Sequence, residues 1–349
     1  MSLHALDDIG DAIDATKSLL WPFAARTWFR LAAVVFFLGG AGSGLNIPQN
    51  LGNFDQQPQT GGEMPTAPPD VFGSTPDIAT VLLAVIAVIL LLVLVHGLVS
   101  NFMEFVFIQS LIDREVHVRR YFSANVGNGL RLLGFRLVVN LLSVLVALVV
   151  IGLFVLALGG GSTSDIGAGA ALAALPVIII TIFLGAVVIG LITGLTNNFV
   201  VPLMLQGDHG VIQGWRRLGS SIRDHPKQYV VYIVVSVLLG IGVGIVTSLL
   251  GLLIFGVLAI PFVALGFGIL SLPGHGTAGF VVVGILAAIY LLLVLVISLL
   301  IQVPLLSFLR YYAMLVLGDI DDAMDPIPAV RSDIRADPDD EPADDADPA

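Results

Sequence analysis

The chain of 349 residues contains no cysteine. Disulfides, thiolate metal sites and cysteine nucleophiles are therefore excluded. Charge is nearly as scarce. Only 12% of the residues are Asp, Glu, Lys or Arg, about half of what a soluble domain carries. Two of the cations are lysines, Lys17 and Lys227, and the rest are arginines. No secretory signal is legible at the start: Asp7, Asp8, Asp11 and Asp14 stand where such a signal needs basic residues ahead of an apolar run. Catalytic spacings are missing as well. His4, His117, His209, His225 and His275 form no HExxH pair. The glycine-rich Gly159–Ser162 follows an apolar run and leads to no Lys-Ser or Lys-Thr, so it is no phosphate loop. These absences argue against an enzyme and give no reason to expect a cofactor, a metal or nucleic acid.

Apolar residues are what the chain has in excess. They make up 57% of it, and the mean hydropathy is +0.99. A soluble globule is excluded, and an all-α, polytopic membrane helix bundle is predicted. A spanning helix needs about 20 apolar residues. Six segments qualify: 28–45, 78–112, 132–158, 168–206, 229–272 and 277–317. The fifth would run to roughly 66 Å as one helix, about twice the hydrocarbon thickness. Pro261 and the glycines near it are expected to break it, leaving its second half as a short or re-entrant piece at the outer face.

Orientation follows from the basic residues, which gather on the cytoplasmic side of membrane proteins. With six spans and both termini inside, Lys17, Arg26 and Arg30 flank the first span. Arg114, Arg119, Arg120, Arg131 and Arg136 fall in or beside the first inner loop. Arg216, Arg217, Arg223 and Lys227 fall in the second, and Arg310, Arg331 and Arg335 at the C-terminal side. All 15 cations are then inside. The expectation is a multi-pass protein of the cell membrane with cytoplasmic N- and C-termini and an outer loop over 46–77.

One order of elements recurs three times, over about 1–112, 113–206 and 207–318: an amphipathic surface helix, then a transmembrane hairpin. Leu3, Leu6, Ile9, Ile13 and Leu20 recur at helical spacing opposite the aspartates, so the first surface helix is expected to lie on the membrane. Val211, Ile212, Trp215, Leu218 and Ile222 oppose Arg216, Arg217 and Arg223 in the third. Residues 1–318 thus form a single membrane domain. From Asp319 onward, 12 acidic residues face Arg331 and Arg335. Rich in Pro and Asp, 319–349 reads as a disordered cytoplasmic tail.

The stretch Val201-Pro202-Leu203-Met204-Leu205-Gln206-Gly207, followed by Gly214-Trp215-Arg216-Arg217-Leu218-Gly219-Ser220-Ser221, resembles the membrane region attached to some glycerophosphodiester phosphodiesterases. That likeness covers mainly 195–235, and the catalytic barrel of those enzymes has no counterpart here. The ending Phe308-Leu309-Arg310-Tyr311-Tyr312-Ala313-Met314-Leu315-Val316-Leu317-Gly318-Asp319, with the opening Leu3-His4-Ala5-Leu6-Asp7-Asp8, resembles an uncharacterised haloarchaeal family of multi-pass membrane proteins. That likeness covers most of the chain and implies architecture alone. The Lys-poor, Asp-rich composition is also similar to that of salt-loving archaea.

Ionisable residues inside a membrane are costly and mark candidate sites. Glu104 lies about 12 Å from the inner end of the second span, by helix rise, and Arg136 just inside the third. Pairing them would neutralise both. Such a pair serves either as a structural clasp or as a proton- or headgroup-coupled site. Asn101, Asn140, Asn197, Asn198 and Gln302 form a thin polar set in the same third of the membrane, suited to interhelical hydrogen bonds or to a cavity lining. His96 reads as a packed histidine. Gly240, Gly242 and Gly244, with Gly190 and Gly194, suggest close helix packing, within the chain or between copies.

The first reading is a non-enzymatic membrane protein that organises partners or binds lipids, with membrane lipids, a second copy or another protein as its company. The alternative is a transporter or lipid translocator with an inner-leaflet polar cavity. A hydrated space beside Glu104, Asn198 and Gln302 would separate the two.

Overall fold

The computed structural model describes residues 4–39, 78–157, 168–207, 210–272 and 276–336. The expected outer loop 46–77, the glycine-rich link, Asp208-His209, His275 and the tail from 337 lie outside them. Every regular element among the described residues is helical. The order is α1 (His4–Leu20), α2 (Ala25–Leu38), α3 (Ile78–Ile112), α4 (Val118–Ala124), α5 (Val126–Ala157), α6 (Ala168–Leu195), a π turn (Thr196–Val200), α7 (Val201–Gly207), α8 (Val211–Asp224), α9 (Pro226–Leu270), α10 (Gly276–Ile320), a 3-10 turn (Asp322–Met324) and α11 (Pro328–Arg335). Long runs of Leu, Val, Ile and Ala leave the backbone no polar partner except itself, and a helix satisfies it within the segment.

Five stretches are long and apolar enough to cross a membrane: 83–112, 126–152, 179–207, 226–270 and 276–320. A sixth is added if α1 and α2, which meet at a bend of 118°, form one broken span. Of the first expected span, Trp28–Leu45, the helix α2 covers the part up to Leu38.

Three expectations are corrected. The stretch 229–272 is not broken. α9 runs through Pro261 as one helix of 45 residues, and α10 matches it at 45. Each is roughly 67 Å long. The pair is self-supporting: the Tyr290 hydroxyl donates to the Phe255 carbonyl at 3.2 Å, and Gly266 brings the Val283 side chain within 3.8 Å of where a Cβ would sit. A proline that removes one hydrogen bond is absorbed by such a neighbour. Second, residues 319–336 are folded, not the start of a loose tail. Arg335 binds Asp8, Asp11 and Asp319, and Arg331 binds Asp319 and Asp325, fixing α11 to α1 and α10. Arg114, beyond α3, reaches Asp333 at 2.6 Å. Third, the five glycines expected to pack closely do not do so within the chain. A Cβ added at Gly190, Gly194, Gly240, Gly242 or Gly244 would meet no atom within 4 Å.

The core sits at one end, where all fifteen Lys and Arg fall. This basic end joins α1 and α11, the last turns of α3 and α10, α7, α8 and the start of α9. Phe105–Ile108, Leu111, Phe199–Val201, Leu203, Met204 and Tyr311–Leu317 are fully buried there. α1 buries Asp8, Ala12, Ala15 and Thr16 against the protein, while Leu6 and Ile13 are exposed. Its aspartates are thus divided between core and rim, which the expected apolar-versus-acidic split did not foresee. Away from the basic end the helices splay, except that α9 and α10 stay paired, and most of their Leu, Val and Ile side chains face outward.

Candidate functional site

Where the helices begin to splay they enclose a cavity of about 1040 Å³. Six helices contribute to its walls: α2, α3, α5, α6 with its π turn, α9 and α10. Close packing runs in the order α9, α10, α2, α3, α5, α6, and α6 and α9 stand across the remaining gap without close backbone packing. Apolar walls come from Leu38, Val139, Ile192, Val243, Leu305 and Leu306.

The floor of the cavity is charged. Arg310 on α10 binds Glu104 on α3 and donates to the Asn198 Oδ1 at 2.6 Å. Arg136 on α5 donates to the Asn101 Oδ1 at 2.9 Å and the Asn197 Oδ1 at 2.7 Å. Its guanidinium lies 3.5 Å from the Glu104 carboxylate. Asn198 in turn donates to the Tyr232 hydroxyl at 2.9 Å. Asn140 and Gln302 line the walls above. All seven residues singled out from the sequence therefore meet at one place. Glu104, Arg136, Asn140, Asn197 and Gln302 line the cavity, and Asn101 and Asn198 brace its floor.

The site also contains residues that the sequence did not single out. Arg310 is the closer partner of Glu104, so the expected Glu104–Arg136 pair is one side of a triad. Arg310 is also nine-tenths buried, its side chain 9% exposed. Tyr232 stacks on Tyr312 and packs against Phe199 beneath the triad, on the basic side. A positional signal for Arg310 did exist. Glu104, Asn198 and Arg310 each precede an aromatic residue (Phe105, Phe199, Tyr311), and each stands eight residues before the end of its expected repeat, at Ile112, Gln206 and Gly318.

Local geometry explains how α6 presents two asparagines to two arginines. Pro202 has no N–H to give the Asn198 carbonyl, and the Val201 N–H reaches back to the Thr196 carbonyl, a π-type bond. Such turns re-aim side chains and recur at functional sites. Gly214 lets α8 lie against this turn, because a Cβ there would come within 2.8 Å of the Val200 side chain. His96 sits apart from the triad, packed between the rings of Phe36 and Phe37. Among the described residues no group of three His, Asp or Glu is placed to hold a metal ion.

The level of the triad is set by its neighbours. Exposed large apolar side chains end at Leu98 on α3, Leu191 on α6 and Leu293 on α10; on α5 Val126 and Leu130 are exposed before Arg136, and the dense run starts at Leu137. Glu104, Arg136 and Arg310 thus lie at the edge of the apolar belt nearest the basic end. A helical bundle with an apolar belt and a charged cavity at its edge is a multi-pass integral membrane protein. The chain belongs to a family of unknown function (DUF7544), whose model matches residues 3–327. No curated protein and no solved structure matches it.

Proposed function

We propose that this protein is a transporter or lipid translocator, and that its ligand binds in the cavity above Glu104, Arg136 and Arg310. One observation carries the reading: a space of about 1040 Å³ with three charged residues at its base, in a bundle whose spans have little other intramembrane charge. A scaffold has no need of such a space, since buried charges without a task are costly in a membrane. Volumes of this order are typical of ligand sites, about 300–1,000 Å³. The basic end is the cytoplasmic one on this reading, by the positive-inside rule, and the first and last described helices, α1 and α11, lie there. Phe105, Phe199, Tyr232, Tyr311 and Tyr312 form a packed layer between the triad and that end. This state is therefore closed to the cytoplasm and open toward the membrane.

The recurring order of helices fits a threefold repeat, with Glu104, Asn198 and Arg310 as its equivalent positions converging on one site. The likeness of 195–235 to the membrane region of glycerophosphodiester phosphodiesterases bears on architecture and brings no catalytic group with it.

Absence of cysteine makes a direct test simple. Single cysteines are introduced at Asn140, Gly244 and Gln302, and at the fully buried Ser307 as reference. The protein is reconstituted in vesicles and treated with a water-soluble thiol reagent. The three cavity positions are expected to react at least tenfold faster than Ser307. Equal, slow reaction at all four would mean a dry centre and end the transporter reading.

A further inference from the structure

Resting on that reading, the geometry points to an inner-leaflet lipid with an anionic headgroup as the ligand. We propose that its headgroup binds Arg136 and Arg310, and that its chains leave the cavity through the gap between α6 and α9.

Charge is the first argument. Of the cavity-lining residues only Glu104, Arg136 and Arg310 are of charged type, so the site has a formal charge of one positive unit. A buried cation without a counter-ion is costly, and an anion supplied by the ligand removes that imbalance. Hydrogen bonding is the second. Both Arg136 and Arg310 have a buried Nε–H without a partner. Guanidinium groups with free N–H donors suit phosphate and carboxylate oxygens, which accept two parallel bonds.

Shape and level separate a lipid from a free anion. The charged floor lies at the edge of the apolar belt nearest the basic end, where the headgroups of that leaflet lie. Above the floor the walls mix apolar Val139, Ile192, Val243 and Leu305 with polar Asn140, Thr247 and Gln302. They run toward the middle of the bilayer, as acyl chains do. Gly240 and Gly244 on α9 line the cavity, and neither has an atom within 4 Å of its missing Cβ. Across the gap, α6 turns Ile192 and Thr193 to the cavity, not its glycines. The seam between α6 and α9 is thus lined by small residues on the α9 side, and the two helices do not pack closely there. A soluble phosphate needs neither the apolar walls nor a lateral opening.

The test uses the full chain with a single fluorophore on a cysteine at Gly244, reconstituted in phosphatidylcholine vesicles. Spin-labelled phosphatidylglycerol or spin-labelled phosphatidylcholine is titrated in as quencher. Wild-type protein is expected to be quenched by the anionic lipid at least fivefold more efficiently than by the zwitterionic one. Arg136→Gln, which makes the site neutral, should lose most of that preference. Glu104→Gln combined with Arg136→Gln restores the single positive charge and should recover it. A residue of purely structural importance would not show recovery in the double variant. Thermal unfolding checks that each variant folds, and the Arg136→Gln result is read only against the double variant. Equal quenching by both lipids overturns the proposal. If the Gly244 position still reacts with a soluble thiol reagent, the cavity stands and only the ligand class is wrong. Millimolar inorganic phosphate is the remaining arm. Protection of the Gly244 cysteine by phosphate, without lipid preference, would assign the site to a free anion and also overturn the proposal.

Discussion

The two ends of this molecule are built from the same residue types and packed in opposite ways. At the basic end Phe105–Ile108, Phe199–Val201 and Tyr311–Leu317 are buried to completion, and the helices pack closely around them. Toward the other end most side chains of the same types face outward, and the helices other than α9 and α10 part. Water explains the difference. At the basic end apolar surface left exposed meets solvent, and burying it stabilises the fold at about 25 cal/mol per Å². Within lipid there is no comparable gain, because acyl chains are as apolar as leucine. Helices joined firmly at one end are then free to separate at the other, and the space between them becomes available for a ligand. The charged triad lies at the border of the two regimes.

Matched substitutions test this division. Phe105 is fully buried at the basic end, and Phe183 on α6 is 65% exposed in the belt. Phe105→Ala is expected to lower stability by about 3–5 kcal/mol through the cavity it leaves. Phe183→Ala should stay within about 0.5 kcal/mol. Thermal unfolding of both variants in one detergent measures the contrast. Similar losses would mean that the splayed half is held together by contacts between helices.

Glycines give a second pair, with a smaller effect. A Cβ at Gly318 would collide with the Arg331 guanidinium and come within 2.6 Å of the Asp325 carboxyl carbon. Arg331 is tied to Asp319 and Asp325, so it cannot swing aside without breaking those bonds. Gly318→Ala should cost about 1–3 kcal/mol, the usual range for overpacking. Gly244→Ala meets nothing and should leave unfolding unchanged. A stable Gly318→Ala variant would show that α11 is attached more loosely than its ion pairs imply.

Much of the fold was legible, because hydropathy reports spans and the arginines report one end. The candidate site was legible for a related reason. Few polar residues occur in the apolar segments, so Glu104, Arg136 and the Asn and Gln residues stood out, and the helices brought them together. Arg310 was missed because the same topological argument that placed it at the inner end also accounted for it. It became visible as a site residue only when its side chain was seen to turn back toward Glu104. Continuity of α9 was missed because a proline among glycines reads as a break, whereas α10 lies alongside and supports it. The folding of 319–336 was hidden by composition. Acidic residues next to proline suggest a solvated tail, but here Asp319 and Asp325 serve arginines of α11, and Asp8 and Asp11 on the far N-terminal helix serve Arg335. No local pattern records a partner more than three hundred residues away.

That long-range clasp supplies the mildest test of the contrast, at the edge of the packed end. Arg335 reaches Asp8 at 2.9 Å, Asp11 at 2.6 Å and Asp319 at 2.9 Å, and its side chain is 38% exposed. Solvent and salt therefore screen it, and exposed pairs contribute about 0.2–1 kcal/mol each. The inner pair differs. Burial pushes the Asp325 carboxyl up and the Arg331 guanidinium down, so desolvation offsets part of that attraction. Arg335→Gln is accordingly expected to lower stability by about 1 kcal/mol or less. It should speed amide hydrogen exchange in α11 and the first turns of α1, leaving the cavity helices unaffected. High salt should produce the same acceleration in the wild-type chain and add little in the variant, since the screened interaction is already gone. Exchange that quickened equally around the cavity would mean that the basic end and the site are mechanically coupled, and the division between a packed anchor and an independent open half would have to be withdrawn.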